Sequence, residues 1–350
     1  MFFAVAFVNF DGMWQSKRFH VFSVCFFLCP ALYCAAFWLM KEFIMKDDKF
    51  KGVFWAGLSM VLWASSFPVG RTLISNHMID PVTLGMLRFG LGGVLMLAFG
   101  PFLKLRGLFR FSVKDGICLA LLGLLGTALM AIFLFTAQKT ISSVNSSMIE
   151  ALSPLLIFIL NLCLTRRFSA WQAAGLLFGF GGCLMVLKVL TFDGFFLESY
   201  QFGDFLILCS SLCWSLYSVL GRPVIMRVGA YKFTAWTMLF GALWLLVIDI
   251  ADYEAMIWPK SPYAWALVGY FAAFPAAVAF YAWNAAQNYI SLALLSLSEY
   301  FTPFCTALIA FVWLGEGITF SQTVGALIIC GAVLVEPEIT AMIKRKKYAG

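Results

Sequence analysis

One stretch occurs twice in this chain. Ala137-Gln138-Lys139-Thr140-Ile141-Ser142 leads through Glu150 to Pro154, and Ala286-Gln287-Asn288-Tyr289-Ile290-Ser291 leads through Glu299 to Pro303. The offset is constant: 286 − 137, 299 − 150 and 303 − 154 all equal 149. Both copies lie inside apolar runs, and each sets one carboxylate four residues before a proline. A membrane chain built of two copies, each with an acid in its interior, reads first as a transporter.

The solvent follows from composition. Hydrophobic residues make up 63% of the chain, charged residues 12%, and the mean hydropathy is +0.92. A soluble domain carries about twice that charge. The apolar surplus falls into segments of about 20 residues, each long enough to span a bilayer. The net charge of +7 therefore belongs to loops and lipid headgroups, not to nucleic acid. The only histidines are His20 and His77, and the ten cysteines form no C-x-x-C pair. Cys25 and Cys29, like Cys209 and Cys213, share a helix face at i,i+4 and are read as small packing residues, so no metal and no cofactor is expected.

Residues 1–50 form an extension. Lys17 and Arg18 precede an apolar run, Phe19 to Met40, that lacks a small-x-small cleavage site. Three readings stand: an extra transmembrane helix, an uncleaved anchor, or residues upstream of an initiator at Met45; an extra or dispensable helix is preferred. From Lys51 onward, spans are placed near 52–73, 81–103, 115–137, 142–164 and 169–190, then 203–222, 231–250, 263–283, 289–313 and 318–335. The first repeat is thus 51–190, the second 203–336, and 337–350 is a basic tail. One set of loops collects Lys46, Lys49, Lys51, Lys104, Arg106, Arg110, Lys114, Arg166, Arg167, Arg222, Arg227, Lys232 and the tail Lys344-Arg345-Lys346-Lys347. The other has little beyond Lys139, Lys188 and Lys260, which puts the tail in the cytoplasm of a multi-pass inner-membrane protein.

The repeat extends further. Gly52-x-Phe54, Trp63 and Gly70-Arg71 return as Gly203-x-Phe205, Trp214 and Gly221-Arg222 at 151, and Thr83 and Phe89-Gly90 as Thr234 and Phe240-Gly241, again at 151. Gln172, Gly175 and Gly181 return at 150. Five helices per copy is an odd number, so the second copy enters the membrane from the opposite side. The expected fold is all-α: ten transmembrane helices as two inverted five-helix repeats, the arrangement that permits alternating access.

Leu314-Gly315-Glu316 followed by Gln322-x-x-Gly325 and Gly331, Trp63-x-x-Ser66-Phe67-Pro68, and Pro81 with Arg88 together resemble the EamA-type drug/metabolite transporters over residues 50 to 336. The resemblance implies five plus five helices around a central cavity and no ATP-hydrolysing partner. The paired acids depart from the general pattern of that family.

Glu150 and Glu299 lie roughly 12–15 Å deep in their spans, near the midplane of a ~30 Å core. A carboxylate there costs at least ~2.5 kcal/mol and persists only with a partner, a proton or a water-filled cavity. Either acid fixes helix packing or lines a polar site; the duplication favours the site. Arg88 is the available counter-charge, either for a substrate carboxylate or for Glu150, and its repeat equivalent is read as Leu239. Asn145 and Ser146, with Ser147, lie about one turn from Glu150; Gln138 and Gln287 recur with the repeat. Trp63, Trp214, Tyr217 and Tyr300 neighbour repeat positions or the acid and are read as an aromatic wall suited to a cationic or planar group, against packing as the plainer role. Pro154, Pro275 and Pro303 should break their spans and free backbone carbonyls near the centre.

No His-, Asp- or Ser-His-based constellation supports a membrane-embedded enzyme, and no soluble domain supports a sensor. The chain is read as a non-enzymatic secondary transporter of a small polar metabolite. Two acids, one arginine and many aromatics suit an amino acid or an amino-acid derivative such as S-adenosylmethionine, which carries sulfonium, ammonium, carboxylate and a stacking base; relatives of this family carry that substrate in some intracellular bacteria. The alternative is efflux of a lipophilic cation or drug against protons. Protons or a counter-substrate enter either scheme as coupling partners.

Overall fold

The computed structural model describes residues 48–140, 149–166, 169–187, 189–191, 194–195, 202–251, 257–306 and 319–334. The extension with its Phe19–Met40 run, Asn145, Ser146 and Ser147, Leu314-Gly315-Glu316 and the basic tail lie outside the described residues.

Apart from one hairpin, in which β1 (Leu190–Thr191) pairs antiparallel with β2 (Gly194–Phe195), the described elements are helices. The first copy holds α1 (Asp48–Ser75), α2 (Pro81–Phe99), α3 (Val113–Gly123) continued through a π-helical turn (Leu124–Leu129) into α4 (Met130–Ala137), then α5 (Ser153–Thr165) and α6 (Ala170–Val186). The second holds α7 (Phe202–Val228), α8 (Ala230–Ala251), α9 (Pro262–Phe271) continued through a second π-helical segment (Ala272–Val278) into α10 (Ala279–Ala286), then α11 (Leu292–Ser298) and α12 (Phe320–Leu334). Among the described residues five helical stretches are long and apolar enough to cross a membrane: Pro81–Phe99, Val113–Ala137, Phe202–Val228, Ala230–Ile248 and Pro262–Ala286.

Local chemistry sets the helix starts. Asp80 caps α2, its side chain accepting from the Val82 and Thr83 amides with Pro81 at the first helical position; Ser112 caps α3 and Ser261 caps α9 in the same way. The Asp80 carboxylate also accepts from the Ile257 amide at 2.9 Å, tying the start of α2 to the segment before α9. At the opposite end of the bundle Gly52 packs on Ile290, and Arg222 donates to the Ile290 carbonyl at 3.2 Å. The two ends are called below the Ser75 end and the Lys51 end.

Helix bounds recur between the copies at 149: Pro81 with Ala230, Val113 with Pro262, Met130 with Ala279 and Ala137 with Ala286. Packing repeats with them. A Cβ at Gly241 would meet Thr127 and the Gly123 carbonyl, and a Cβ at Gly92 would meet the Ala272 carbonyl and the Ala276 Cβ; Gly92, Gly123 and Thr127 plus 149 are Gly241, Ala272 and Ala276. Each π-helical segment therefore packs against the second helix of the other copy. This corrects the 151 offset read for that helix. The matches of Thr83 with Thr234 and Phe89-Gly90 with Phe240-Gly241 are coincidences of composition, and the equivalent of Arg88 is Thr237, not Leu239.

Both acids sit where a helix is interrupted. Glu150 precedes a turn at Ala151–Leu152, with Pro154 just inside α5; Glu299 opens the turn after α11, and residues 301–306 resume as helix around Pro303. Proline cannot donate to the preceding turn, so the ladder closes with shorter i→i−3 bonds, Leu152 to Ile149 at 3.0 Å and Glu299 to Ser296 at 3.0 Å.

Candidate functional site

The helix breaks converge on a central cavity of about 140 Å³, far larger than a single water needs. Glu150, Glu299, Arg88, Gln138, Trp63 and Trp214 all line it. It runs from the tryptophans near mid-bundle towards the Ser75 end, where Gln138 caps α4 close to Gly70.

Trp63 and Trp214 occupy equivalent places in the two copies and meet edge to face, ring centroids 5.1 Å apart at 89°. With Phe280 and Trp283 they form an aromatic layer across the bundle. Their N–H groups are used differently. Trp214 Nε1 donates to Glu299 Oε1 at 2.9 Å, orienting that carboxylate, whereas Trp63 Nε1 donates to the Pro275 carbonyl at 3.1 Å. That carbonyl lies in the π-helical segment, where the ladder is loosened and an oxygen can turn sideways.

Arg88 is 4% exposed. Its guanidinium lies over four rings, with Cζ 4.6 Å from the Phe271 centroid, 4.9 Å from Phe89 and 5.8 Å from both Phe135 and Phe280. Among the described residues its one polar contact is a long one, Nη2 to the Pro275 carbonyl at 3.5 Å, and Nε has no partner there. Among the described residues the ion pairs are Lys51–Asp48 and Arg227–Asp115, and neither includes Arg88, Glu150 or Glu299. Four quadrupoles stabilise the cation in part, but five N–H donors facing one weak acceptor leave most of its hydrogen-bonding capacity unused.

Further hydroxyls stand on the wall. Ser66 donates to the Trp63 carbonyl at 2.7 Å and Ser210 to the Met130 carbonyl at 3.1 Å, while Ser211 Oγ and Gln138 Oε1 are buried without partners among the described residues. Sequence reasoning passed over Ser153, Ser210, Ser211, Thr302 and Thr306, as well as the phenylalanines around Arg88. Ser153 and Thr302 were findable: both sit between the repeated acid and its proline, at the common offset of 149.

Three residues named from sequence stand away from the cavity wall. Tyr217 is fully buried behind Trp214, stacked at 5.5 Å. Tyr300 is buried against Gly179 on α6, in the smaller apolar cluster with Leu297 and Ile329. Gln287 is buried beside Asn284. Burial of the rings leaves the aromatic wall to Trp63, Trp214 and the phenylalanines.

The family model described as the EamA-like transporter family matches residues 50–188 and again residues 201–335. The chain belongs to that family. An uncharacterized transporter of Bacillus subtilis (strain 168), YyaM, is 28% identical over 272 residues, covering 77% of this chain and 87% of that protein. A probable terminal-alkyne amino-acid exporter of Streptantibioticus cattleyicolor is 25% identical over 288 residues, covering 81% of this chain and 93% of that protein. The aromatic amino acid exporter YddG of Ancylobacter novellus is 25% identical over 278 residues, covering 79% of this chain and 92% of that protein. This EamA-family chain is accordingly a multi-pass membrane transporter of a small molecule, not an enzyme.

Proposed function

We propose that this transporter moves an amino acid or an amino-acid derivative, S-adenosylmethionine among them, across the inner membrane by alternating access, with the tail in the cytoplasm. The reading is carried by Arg88: a nearly buried guanidinium, ringed by phenylalanines, without a carboxylate in ion-pair contact among the described residues and beside a cavity sized for a small molecule. A substrate carboxylate supplies the planar two-oxygen acceptor that a guanidinium fork matches. Glu299, held by Trp214, and Glu150 supply negative charge for the ammonium or sulfonium of the same molecule, and Trp63 and Trp214 present rings to its side chain. The amino-acid exporters among the relatives agree with that chemistry.

The scheme uses ten spans in two halves of opposite orientation. Recurrence of helix bounds at 149, and the exchanged packing of each π-helical segment on the other copy's second helix, support it. The domain limits at 51–190 and 203–336 rest on the repeated motifs, and the Lys and Arg distribution supports the inner-membrane orientation with a cytoplasmic tail.

The test is counterflow in proteoliposomes with labelled S-adenosylmethionine, several amino acids, a nucleoside and a lipophilic cation. Accelerated exchange of one amino-acid or adenosyl compound, lost in Glu299→Gln, is the expected result. Transport of the lipophilic cation alone, driven by a pH gradient, replaces this reading with proton-coupled efflux and makes the acids proton carriers.

A further inference from the structure

Between the tryptophan layer and the Lys51 end lies a second group of polar side chains, which the cavity does not reach. Asn284 donates through Nδ2 to the Tyr217 hydroxyl and to Thr234 Oγ1, both at 2.9 Å. Gln287 Nε2 donates to Asn284 Oδ1 at 3.4 Å, and the Tyr217 and Thr237 hydroxyls face one another at 3.5 Å. All five residues are at most 1% exposed. Gln287 Oε1 and the neighbouring Trp283 Nε1 nevertheless have no partner among the described residues. Packing alone gives no reason to bury an amide oxygen and an indole N–H unpaired, since leaving such groups unsatisfied is costly and apolar side chains of the same shape avoid the cost.

The repeat supplies the reason. Adding 149 to the cavity-wall residues Leu134, Phe135 and Gln138 gives Trp283, Asn284 and Gln287, and adding it to Arg88 gives Thr237. Ser66, at the first-helix offset of 151 shared by Trp63 and Trp214, gives Tyr217. The buried cluster is thus the image, in the second copy, of the wall that lines the cavity in the first. Gln138 and Gln287 even share an Oε1 that is unpaired among the described residues.

We propose that the Tyr217–Thr237–Asn284–Gln287 cluster is a second substrate subsite: a hydrogen-bonding surface without formal charge, closed in this conformation, which lines the path towards the Lys51 end when the two halves exchange conformations. The inference rests on the transporter reading above and adds its chemistry on the other face. Where the first copy offers a guanidinium among phenylalanines, the second offers amides and hydroxyls. A charged substrate is gripped at the Arg88 side and held weakly, with its hydration largely retained, at the cluster. Half-saturation for the same substrate is therefore higher at the Lys51 face than at the Ser75 face.

The experiment uses the full-length chain and a membrane-impermeant maleimide, with the unmodified protein and its own ten cysteines as the blank. Arg106→Cys marks the Lys51 face. Gln287→Cys is expected to react from the Arg106→Cys face, and Gln138→Cys from the opposite face. Gln287→Leu is expected to keep the thermal stability of the unmodified protein while slowing counterflow of labelled phenylalanine or S-adenosylmethionine at least ten-fold. Absence of labelling at Gln287→Cys from either face, with Gln138→Cys labelled, overturns the proposal. So does unchanged counterflow in Gln287→Leu, and loss of counterflow together with thermal stability assigns Gln287 to packing. Failure of the transporter reading shows separately, as full exchange in Glu299→Gln or none in the unmodified protein.

Discussion

A guanidinium taken out of water recovers little of its hydration from aromatic faces, which offer attraction to the charge but no directed acceptors. Arg88 is in that condition, and an incoming carboxylate would replace water with two charge-assisted bonds. Arg88→Lys retains the charge but not the fork or the stacking plane. It is expected to lower counterflow of a carboxylate-bearing substrate about 10–100-fold, the equivalent of one such bond at ~1.5–3 kcal/mol, while leaving any lipophilic-cation transport unaffected; equal loss for both compounds assigns Arg88 to structure. Trp214→Phe keeps the ring and removes the donor to Glu299, and should slow the same exchange about ten-fold by the same bond strength. Glu299→Gln should abolish exchange with membrane insertion intact, and full activity in that variant would remove Glu299 from the site. The acids, Arg88 and the two tryptophans were legible because each is rare in its surroundings or duplicated. The phenylalanines around Arg88 were not: among 38 of them, nothing in the sequence separates those that face a cation from those that face lipid. Tyr217 and Tyr300 were singled out by proximity to repeat positions, and sequence spacing does not say which side of its helix a ring lies on.

At the scale of elements, the two π-helical segments explain how the cavity is kept open beside close helix contacts. Each extra backbone residue shifts the following turns by part of a rotation, so one helix can press a glycine or alanine against its neighbour and still present side chains to the centre. In the first copy the contact is backbone to backbone: a Cβ on Gly123 would stand 2.6 Å from the Thr237 carbonyl and 3.0 Å from the Gly241 amide. Neither atom can yield as a flexible side chain does. Gly123→Ala is therefore expected to destabilise the folded protein by about 1–3 kcal/mol, seen as a lower melting temperature in detergent, whereas Gly57→Ala, with nothing within 4 Å of its added methyl, should not. A melting temperature unchanged in Gly123→Ala would mean that the two copies approach less closely than described. Apolar runs and prolines made the element order legible in sequence. The helical register was only partly so, because in a chain this rich in Phe and Gly a two-residue slip still finds matches. The true offset emerged from which glycine meets which carbonyl.

For the whole molecule, the decisive property is the relation between the copies. In the proposed arrangement five helices per copy carry the chain across the membrane an odd number of times, and equivalent loops then emerge on opposite faces. The loop around Arg106 and the segment before α9 around Lys260 are such a pair in the chain. Contacts agree with their separation: Lys232, near the start of α8, reaches the Gly107 and Arg110 carbonyls, while Ile257 is bonded to Asp80 at the other end. The basic residues gather with Arg106, and positive loops stay in the cytoplasm. Reporter fusions active only in the cytoplasm should therefore report after Arg106 and at the C-terminus, and stay silent after Lys260. A signal after both Arg106 and Lys260 would end the inverted arrangement, and with it alternating access by exchange of equivalent halves. The N-terminal extension enters the same argument. One additional crossing before α1 would change which side Met1 occupies but not the side of any later loop, since orientation is held by the basic clusters along the whole chain. Removal of residues 1–44 is accordingly expected to leave both the reporter pattern and the counterflow intact; inversion of the pattern on that deletion would show that the extension, not the later basic loops, sets the topology.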